Sequence, residues 1–196
     1  LSRNVIAEIR GSTKPEEVVV IGGHIDSWDV GTGAHDDGGG CLMAYQALNI
    51  LKNLGLRAQR TIRVVLFTNE ENGTRGAKAY YNDNINQINN TVFAMESDSG
   101  TFTPIGLSFA GSPKALTILQ SVADLLSPVV NLDVTPGGAG ADITPLTDAG
   151  VPGAGLVVSD DYADDKYFYY HHTNADTIDK IDPVEFNLGL GTMAAV

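Results

Sequence analysis

Apolar residues in this chain follow two spacings in turn, one that suits a strand and one that suits a helix. Residues 4–9 and 17–21 are rich in Val and Ile and read as two strands separated by a turn at 11–15, a hairpin at one edge of a sheet. Residues 38–54 then set Leu42, Met43, Tyr45, Ala47, Leu51 and Leu54 on one broad face, and Gly55 is placed to end that helix. Residues 61–67 are almost continuously apolar, the pattern of a central strand covered on both faces. A short helix over 76–81, a strand over 91–95 and a helix over 112–126 follow, the last opened by a serine cap and Pro113. Beyond a glycine-rich loop at 137–140 the pattern gives a short helix over 142–149 and a strand over 153–158. Asp182 and Pro183 open a last helix that runs to Val196. Strands alternating with helices predict an α/β fold, a three-layer α/β/α sandwich around a mixed, mostly parallel sheet.

Composition narrows the function. At 196 residues and 43% hydrophobic content, the chain can bury one good core, so residues 1–196 are expected to be one domain. The formal charge of -12 repels nucleic acid and anionic membrane surfaces, and no basic stripe offsets it. No apolar run approaches the roughly 20 residues that span a bilayer, so membrane insertion is not expected. A single cysteine, Cys41, leaves no intrachain disulfide to expect. The chain opens at Leu1 with no basic-then-apolar leader, which suggests an excised or truncated piece of something longer and leaves its location unspecified.

The candidate chemistry gathers where the strands end. His24 and Asp26 follow the apolar run 18–21 directly, Glu70 and Glu71 follow 61–67, and Asp98 follows 91–95. In open α/β sheets that edge is where ligands bind. Asp36 and Asp37 lie in the same glycine-rich loop as His24, and an acidic, tyrosine-rich stretch at 160–170, which with Trp28 and Asp29 is expected to rim the cleft, leads to His171 and His172. Each has a plainer reading. A lone loop histidine is ordinarily a satisfied polar group, Asp36 and Asp37 could cap the helix after them, and Glu70 and Glu71 could be solvated charge at a helix start. Asp142 reads as the cap of its own helix. Together, however, the plain readings need several coincidences at one sheet edge, whereas a divalent metal site needs none. Carboxylates with imidazoles suit zinc, and calcium would not recruit the histidines.

Four segments, GGHIDSWDVGTGAHDDGGG, TNEENGTRGA, MESDSGTF and YHHTNADT, carry a family resemblance in this order. The chain resembles the co-catalytic zinc exopeptidases of the M28 peptidase family, nearest to its carboxypeptidase Q-like branch, over a stretch from Ser2 to beyond Asp182. The resemblance implies the phosphorylase/hydrolase-like zinc exopeptidase fold and two zinc ions, replaceable by cobalt or manganese. It implies that Asp36 bridges both metals, that His24 and Asp98 complete one shell, and that Glu71 and His172 complete the other. Glu70 falls at the family's general acid/base, and Asp26 at the residue that orients His24. The peptide bond matching Asp36-Asp37 is often cis in the family. Homodimerisation of a full-length protein and a secreted or periplasmic location are implied in the same way.

These roles are chemically coherent. Two cations roughly 3.5 to 4 Å apart can share and acidify a water, and a carboxylate beside them can move its proton to the leaving amine. Asp26, two residues after His24 on an extended segment, is expected to accept the second imidazole N–H. The expected activity is hydrolysis of short peptides as an aminopeptidase or dipeptidase, because an acidic cleft with two metals suits a free α-amine. The alternatives are a metallocarboxypeptidase of the same family, or a non-catalytic or glutaminyl cyclase-like protein of the same fold. Retention of every ligand position and of Glu70 argues against the last two.

Overall fold

The computed structural model describes residues 2–159 and 166–196. The expected rim segment 160–170 therefore lies partly outside the described residues. Seven strands form one sheet: β1 (Val5–Ile9), β2 (Lys14–His24), β3 (Arg60–Phe67), β4 (Thr91–Glu96), β5 (Pro104–Ala110), β6 (Asp133–Pro136) and β7 (Gly153–Val158). Their order is β1-β3-β2-β4-β7-β5-β6, with β3, β2, β4 and β7 parallel and β1 and β5 antiparallel to their inner neighbours. The helices are α1 (Gly39–Asn53), α2 (Arg75–Asn84), α3 (Pro113–Leu126), α4 (Thr144–Asp148), α5 (Lys166–Tyr170) and α6 (Pro183–Ala195).

The three layers follow from strand periodicity. Successive residues point to opposite faces of the sheet. Ile21, Val64 and Met95 pack with Met43 and Ala47 of α1, Leu119 of α3 and Leu190 and Met193 of α6. Their chain neighbours Val20, Val65 and Ala94 pack with Ala77 and Tyr80 of α2 and Leu146 of α4. Fully burying a side chain such as Phe67 or Met95 is worth about 1.5–3 kcal/mol, which is why the central strands are apolar on both faces.

Local signals behave as their chemistry requires. Ser112 accepts from Ala115 N–H at 3.2 Å at the start of α3, and Asp182 accepts from Val184 N–H at 2.7 Å at the start of α6. Gly55, at φ 68°, ends α1 in a Schellman motif, with Leu56 N–H donating to Leu51 O at 2.9 Å.

The expected hairpin of the first two strands is corrected. β1 pairs antiparallel with β3, not with β2, because β2 takes parallel partners on both sides. The connection at 10–13 crosses the start of β3, where Ser12 N–H donates to Ala58 O at 3.0 Å and Gly11 N–H to Thr61 Oγ1 at 3.1 Å. The apolar run of β2 needs cover that one edge partner would not give, while the half-exposed Val5 and Ile6 of β1 tolerate the edge. Two strands absent from the sequence reading, β5 and β6, extend the sheet on the other side.

Candidate metal centre

The strand ends bring the donors to one place. His24 is the last residue of β2, and its ring is fully buried. Its Nδ1–H donates to the backbone oxygen of Asp26 at 2.8 Å, which leaves the Nε2 lone pair facing outward. Nε2 lies 3.2 Å from Asp36 Oδ1 and 3.3 Å from Asp98 Oδ1. On the other side of Asp36, Oδ2 lies 3.2 Å from His172 Nε2, which is 3.0 Å from Glu71 Oε2. Asp36 thus faces two sets of donors, one through each carboxylate oxygen.

The donor set fits divalent cations. His24, Asp36 and Asp98 offer ligand atoms within 4.8 Å of one another, and so do Asp36, His171 and His172. Asp36 Oδ2, Glu71 Oε1 and Asp98 Oδ1 are buried and lack a hydrogen-bond partner, a state that coordination would relieve. Burial alone would lower the His24 pKa, but the carboxylates of Asp36 and Asp98 outweigh it and hold the imidazole well above its ordinary value. Burial likewise pushes Asp36 upward, and the His24 contact overrides it, so its carboxyl sits below the usual range. An imidazole held so strongly by carboxylates either carries a proton or gives its lone pair to a metal in that proton's place.

Glu70 stands beside this set without an ion pair to it among the described residues. Burial, with Asp98, Glu71 and Asp26 adding negative charge against the opposing His24, raises its pKa above the ordinary carboxylate range, the direction a general base requires. The expectation for Asp26 changes in detail. Its carboxylate accepts Glu70 N–H at 3.0 Å and Glu71 N–H at 3.4 Å, and its Oδ1 stays 3.9 Å from His24 Nδ1. Two backbone donors at the end of β3 draw the carboxylate away, and the Asp26 backbone oxygen takes over the imidazole. Asp26 therefore links both strand ends.

The surrounding loops are fastened from several directions. Asp37 does act at the start of α1, accepting Gly40 N–H at 3.0 Å through Oδ1, and its Oδ2 accepts His24 N–H at 3.0 Å. The Asp36-Asp37 peptide bond is cis. Asp176, buried, accepts His35 N–H at 2.7 Å and Asp36 N–H at 3.2 Å. The His35 ring stacks on Phe102 and Tyr170, at centroid distances of 4.5 and 5.1 Å. Trp28, half exposed, lies 4.7 Å from the His172 ring, and His171 stacks on His172 at 3.6 Å.

Asp176 escaped the sequence reading, while His171 and Asp142 were named there without a place at the site. Asp176 sits in YHHTNADT only four positions past His172, yet an Asp before Thr signals a turn and nothing more. His171, whose Nε2 is 3.6 Å from Asp36 Oδ2, was visible as half of a histidine pair. Asp142 is corrected outright. α4 is preceded by Ile143 and has no side-chain cap, and both Asp142 carboxylate oxygens are buried without a partner. Glu96 holds that segment, accepting Ile143 N–H at 3.0 Å. Burial, together with Glu70, Asp98 and Asp26 and against His24, pushes the Asp142 carboxyl up to about 8.

Residues 4–193 match the profile described as Peptidase family M28. The chain is 48% identical over 195 residues to human carboxypeptidase Q, covering 100% of this chain and 40% of that protein. The crystal structure of a peptidase M28 precursor from Shewanella amazonensis superposes with a TM-score of 0.91 at 37% identity, over 98% of this chain and 43% of that one. A zinc aminopeptidase from Bacillus subtilis shares the fold, with a TM-score of 0.80 at 22% identity over 98% of this chain and 48% of its own. The chain thus spans less than half the length of each of these proteins.

Proposed function

Because the chain belongs to peptidase family M28, we propose that it carries the catalytic centre of a two-zinc exopeptidase that releases a C-terminal residue from dipeptides and other short peptides. The observation behind this reading is Asp36, whose two oxygens each face an imidazole, His24 at 3.2 Å and His172 at 3.2 Å. In this assignment His24, Asp36 and Asp98 would hold one cation, and Asp36, Glu71 and His172 would hold the other. Bound there, the cations supply Lewis acidity that favours ionised water and a developing oxyanion.

The remaining work falls to the chain's own side chains. Glu70, with its raised proton affinity, takes a proton from the attacking water and delivers it to the leaving nitrogen. Asp26 fixes the backbone of Glu70 and Glu71 and, through its carbonyl, the tautomer of His24. Trp28 and His171 form a partly exposed rim beside His172, where substrate side chains can pack.

Composition and an acidic cleft favour attack beside a free α-amine. The balance of similarity favours the other end of the peptide, since the nearly half-identical relative is a carboxypeptidase and the aminopeptidase shares only the fold. A dipeptide satisfies both readings. The test is hydrolysis by the zinc-loaded, full-length protein of a free dipeptide, an N-blocked peptide with a free carboxylate and an aminoacyl-anilide. The first two are cleaved and the anilide is not. Glu70→Gln keeps its metal and loses turnover by about 10²–10⁴-fold. Cleavage of the anilide in place of the blocked peptide returns the assignment to aminopeptidase, and inactivity on all three with metal bound overturns it.

A further inference from the structure

The chain holds four histidines. His24 and His172 face opposite oxygens of Asp36, and the buried His35 accepts Thr101 N–H at 3.3 Å through Nδ1. His171 has no such engagement. Among the described residues its ring nitrogens make no hydrogen bond, and its Nε2 lies 3.6 Å from Asp36 Oδ2, the oxygen that His172 approaches to 3.2 Å. The ligand atoms of Asp36, His171 and His172 all lie within 4.8 Å of one another.

The backbone turns both rings to one side. α5 ends at Tyr170, with His171 N–H donating to Tyr167 O at 2.8 Å and Thr173 N–H to Tyr170 O at 3.0 Å. His172 sits between them at φ 58°, a left-handed conformation that at a helix end ordinarily falls to glycine or asparagine. Consecutive side chains on a helix or strand point apart. Here the rings of His171 and His172 stack, with 3.6 Å between centroids and 23° between planes. An imidazole kept at a position that disfavours it points to a task for the side chain. Exposures of 28% for His171 and 33% for His172 leave both rings open to an arriving cation.

Distances decide how the pair can act. Ligand atoms about 2.0–2.2 Å from a tetrahedral zinc sit ~3.3–3.6 Å from one another. Either Nε2, at 3.2 or 3.6 Å, therefore stands at coordinating separation from Asp36 Oδ2. Two imidazoles on one such cation hold their centroids ~5 Å apart, because each ring extends radially from the metal. Rings stacked at 3.6 Å are too close for both to ligate at once, so they are alternatives. We propose that the cation on the Asp36 Oδ2 side has two interchangeable imidazole ligands, His171 taking the place of His172 when that ring leaves. This rests on the two-zinc reading of the site. The cation then keeps an imidazole whichever ring is in place.

The experiment measures zinc per chain by elemental analysis after dialysis of the full-length protein, and peptide hydrolysis plays no part in it. The unaltered protein, His171→Ala and His172→Ala each retain two equivalents, and His171→Ala/His172→Ala retains one. That last equivalent, held by His24, Asp36 and Asp98, reports that the variant is folded. His171→Gln/His172→Ala, which keeps the bulk of the side chain without an imidazole, also retains one. With cobalt in place of zinc, the visible absorption of the second ion survives in His172→Ala and is lost in both double variants. Loss of an equivalent in His172→Ala alone shows that His171 does not substitute, and overturns the proposal while the two-zinc reading stands. Two equivalents in the double variants overturn it as well, since Asp36 and Glu71 then suffice. Loss of both ions in both double variants does the same, because the His24 set contains neither ring. Fewer than two equivalents in the unaltered protein removes the two-zinc reading and the proposal with it.

Discussion

Asp176 accepts the backbone N–H of Asp36 at 3.2 Å through one carboxylate oxygen, while the other takes the N–H of His35 at 2.7 Å. The segment that delivers His172 thereby also holds the loop that delivers the carboxylate His172 faces. Asp176→Ala leaves two buried amides unpaired, at a cost of about 1–3 kcal/mol each, and frees Asp36 to move. Zinc affinity falls by about 10- to 100-fold, the usual effect of losing such a support, as measured by competition with a chromophoric chelator. An unchanged affinity would mean that Asp36 is held by its other contacts.

Asp36→Asn separates a shared ligand from an ordinary one. An amide cannot offer two anionic oxygens to two cations, so the variant retains fewer than two equivalents of zinc by elemental analysis after dialysis. Replacing Asp98, which contacts only the His24 side, lowers the occupancy of one site alone. Two full equivalents in Asp36→Asn would contradict the bridging assignment.

Trp28 is the chain's only tryptophan, and its ring sits 4.7 Å from His172. Exchange of a proton for a metal on that imidazole alters the electrostatic surroundings of the indole. Zinc added to the metal-free protein is expected to give a saturable change in tryptophan emission that disappears in His172→Ala. A response that survives the loss of His172 would place its origin elsewhere.

Asp142 gives the metal-free protein a pH dependence of definite sign. Its folded-state pKa of about 8 lies above the unfolded value of roughly 3.9, so the folded state binds the extra proton between these limits. The associated stability is fully present below the lower limit and is lost as the pH rises through the upper one. Asp142→Asn removes that titration. Compared with the parent protein in chelator, its urea midpoint gains most above pH ~8 and least near pH ~4. A difference independent of pH would show that Asp142 is ionised in the folded state throughout.

The centre was more legible than its supports. His24, Glu70, Glu71 and Asp98 stand immediately after apolar runs, so strand periodicity alone brings them to one edge. Asp36 and His172 needed the motif around them. Asp142 and Asp176 carry no such marker, because a lone aspartate near a helix or turn reads as a cap, and only tertiary packing strips Asp142 of partners or aims Asp176 at another loop. The position of β1 was misread for a related reason. Its own pattern marks a strand, but the choice between β2 and β3 depends on the two-sided cover that β2 demands. β5 alternates Leu107 and Phe109 with Gly106 and Ser108, yet its neighbour β6 has only four residues and little apolar content, so the far side of the sheet offered few cues.

The two imidazoles that face Asp36 sit near opposite ends of the chain, His24 at the close of β2 and His172 after α5. During synthesis His24, Asp36, Glu71 and Asp98 emerge with the early strands, and Asp36 has its anchor Asp176 only once the late segment arrives. A ribosome-bound chain stopped short of that segment has His24 to face Asp36 Oδ1 but lacks the imidazole that faces Oδ2. The paired arrangement around Asp36 is therefore completed only after the strands that carry its other donors have emerged.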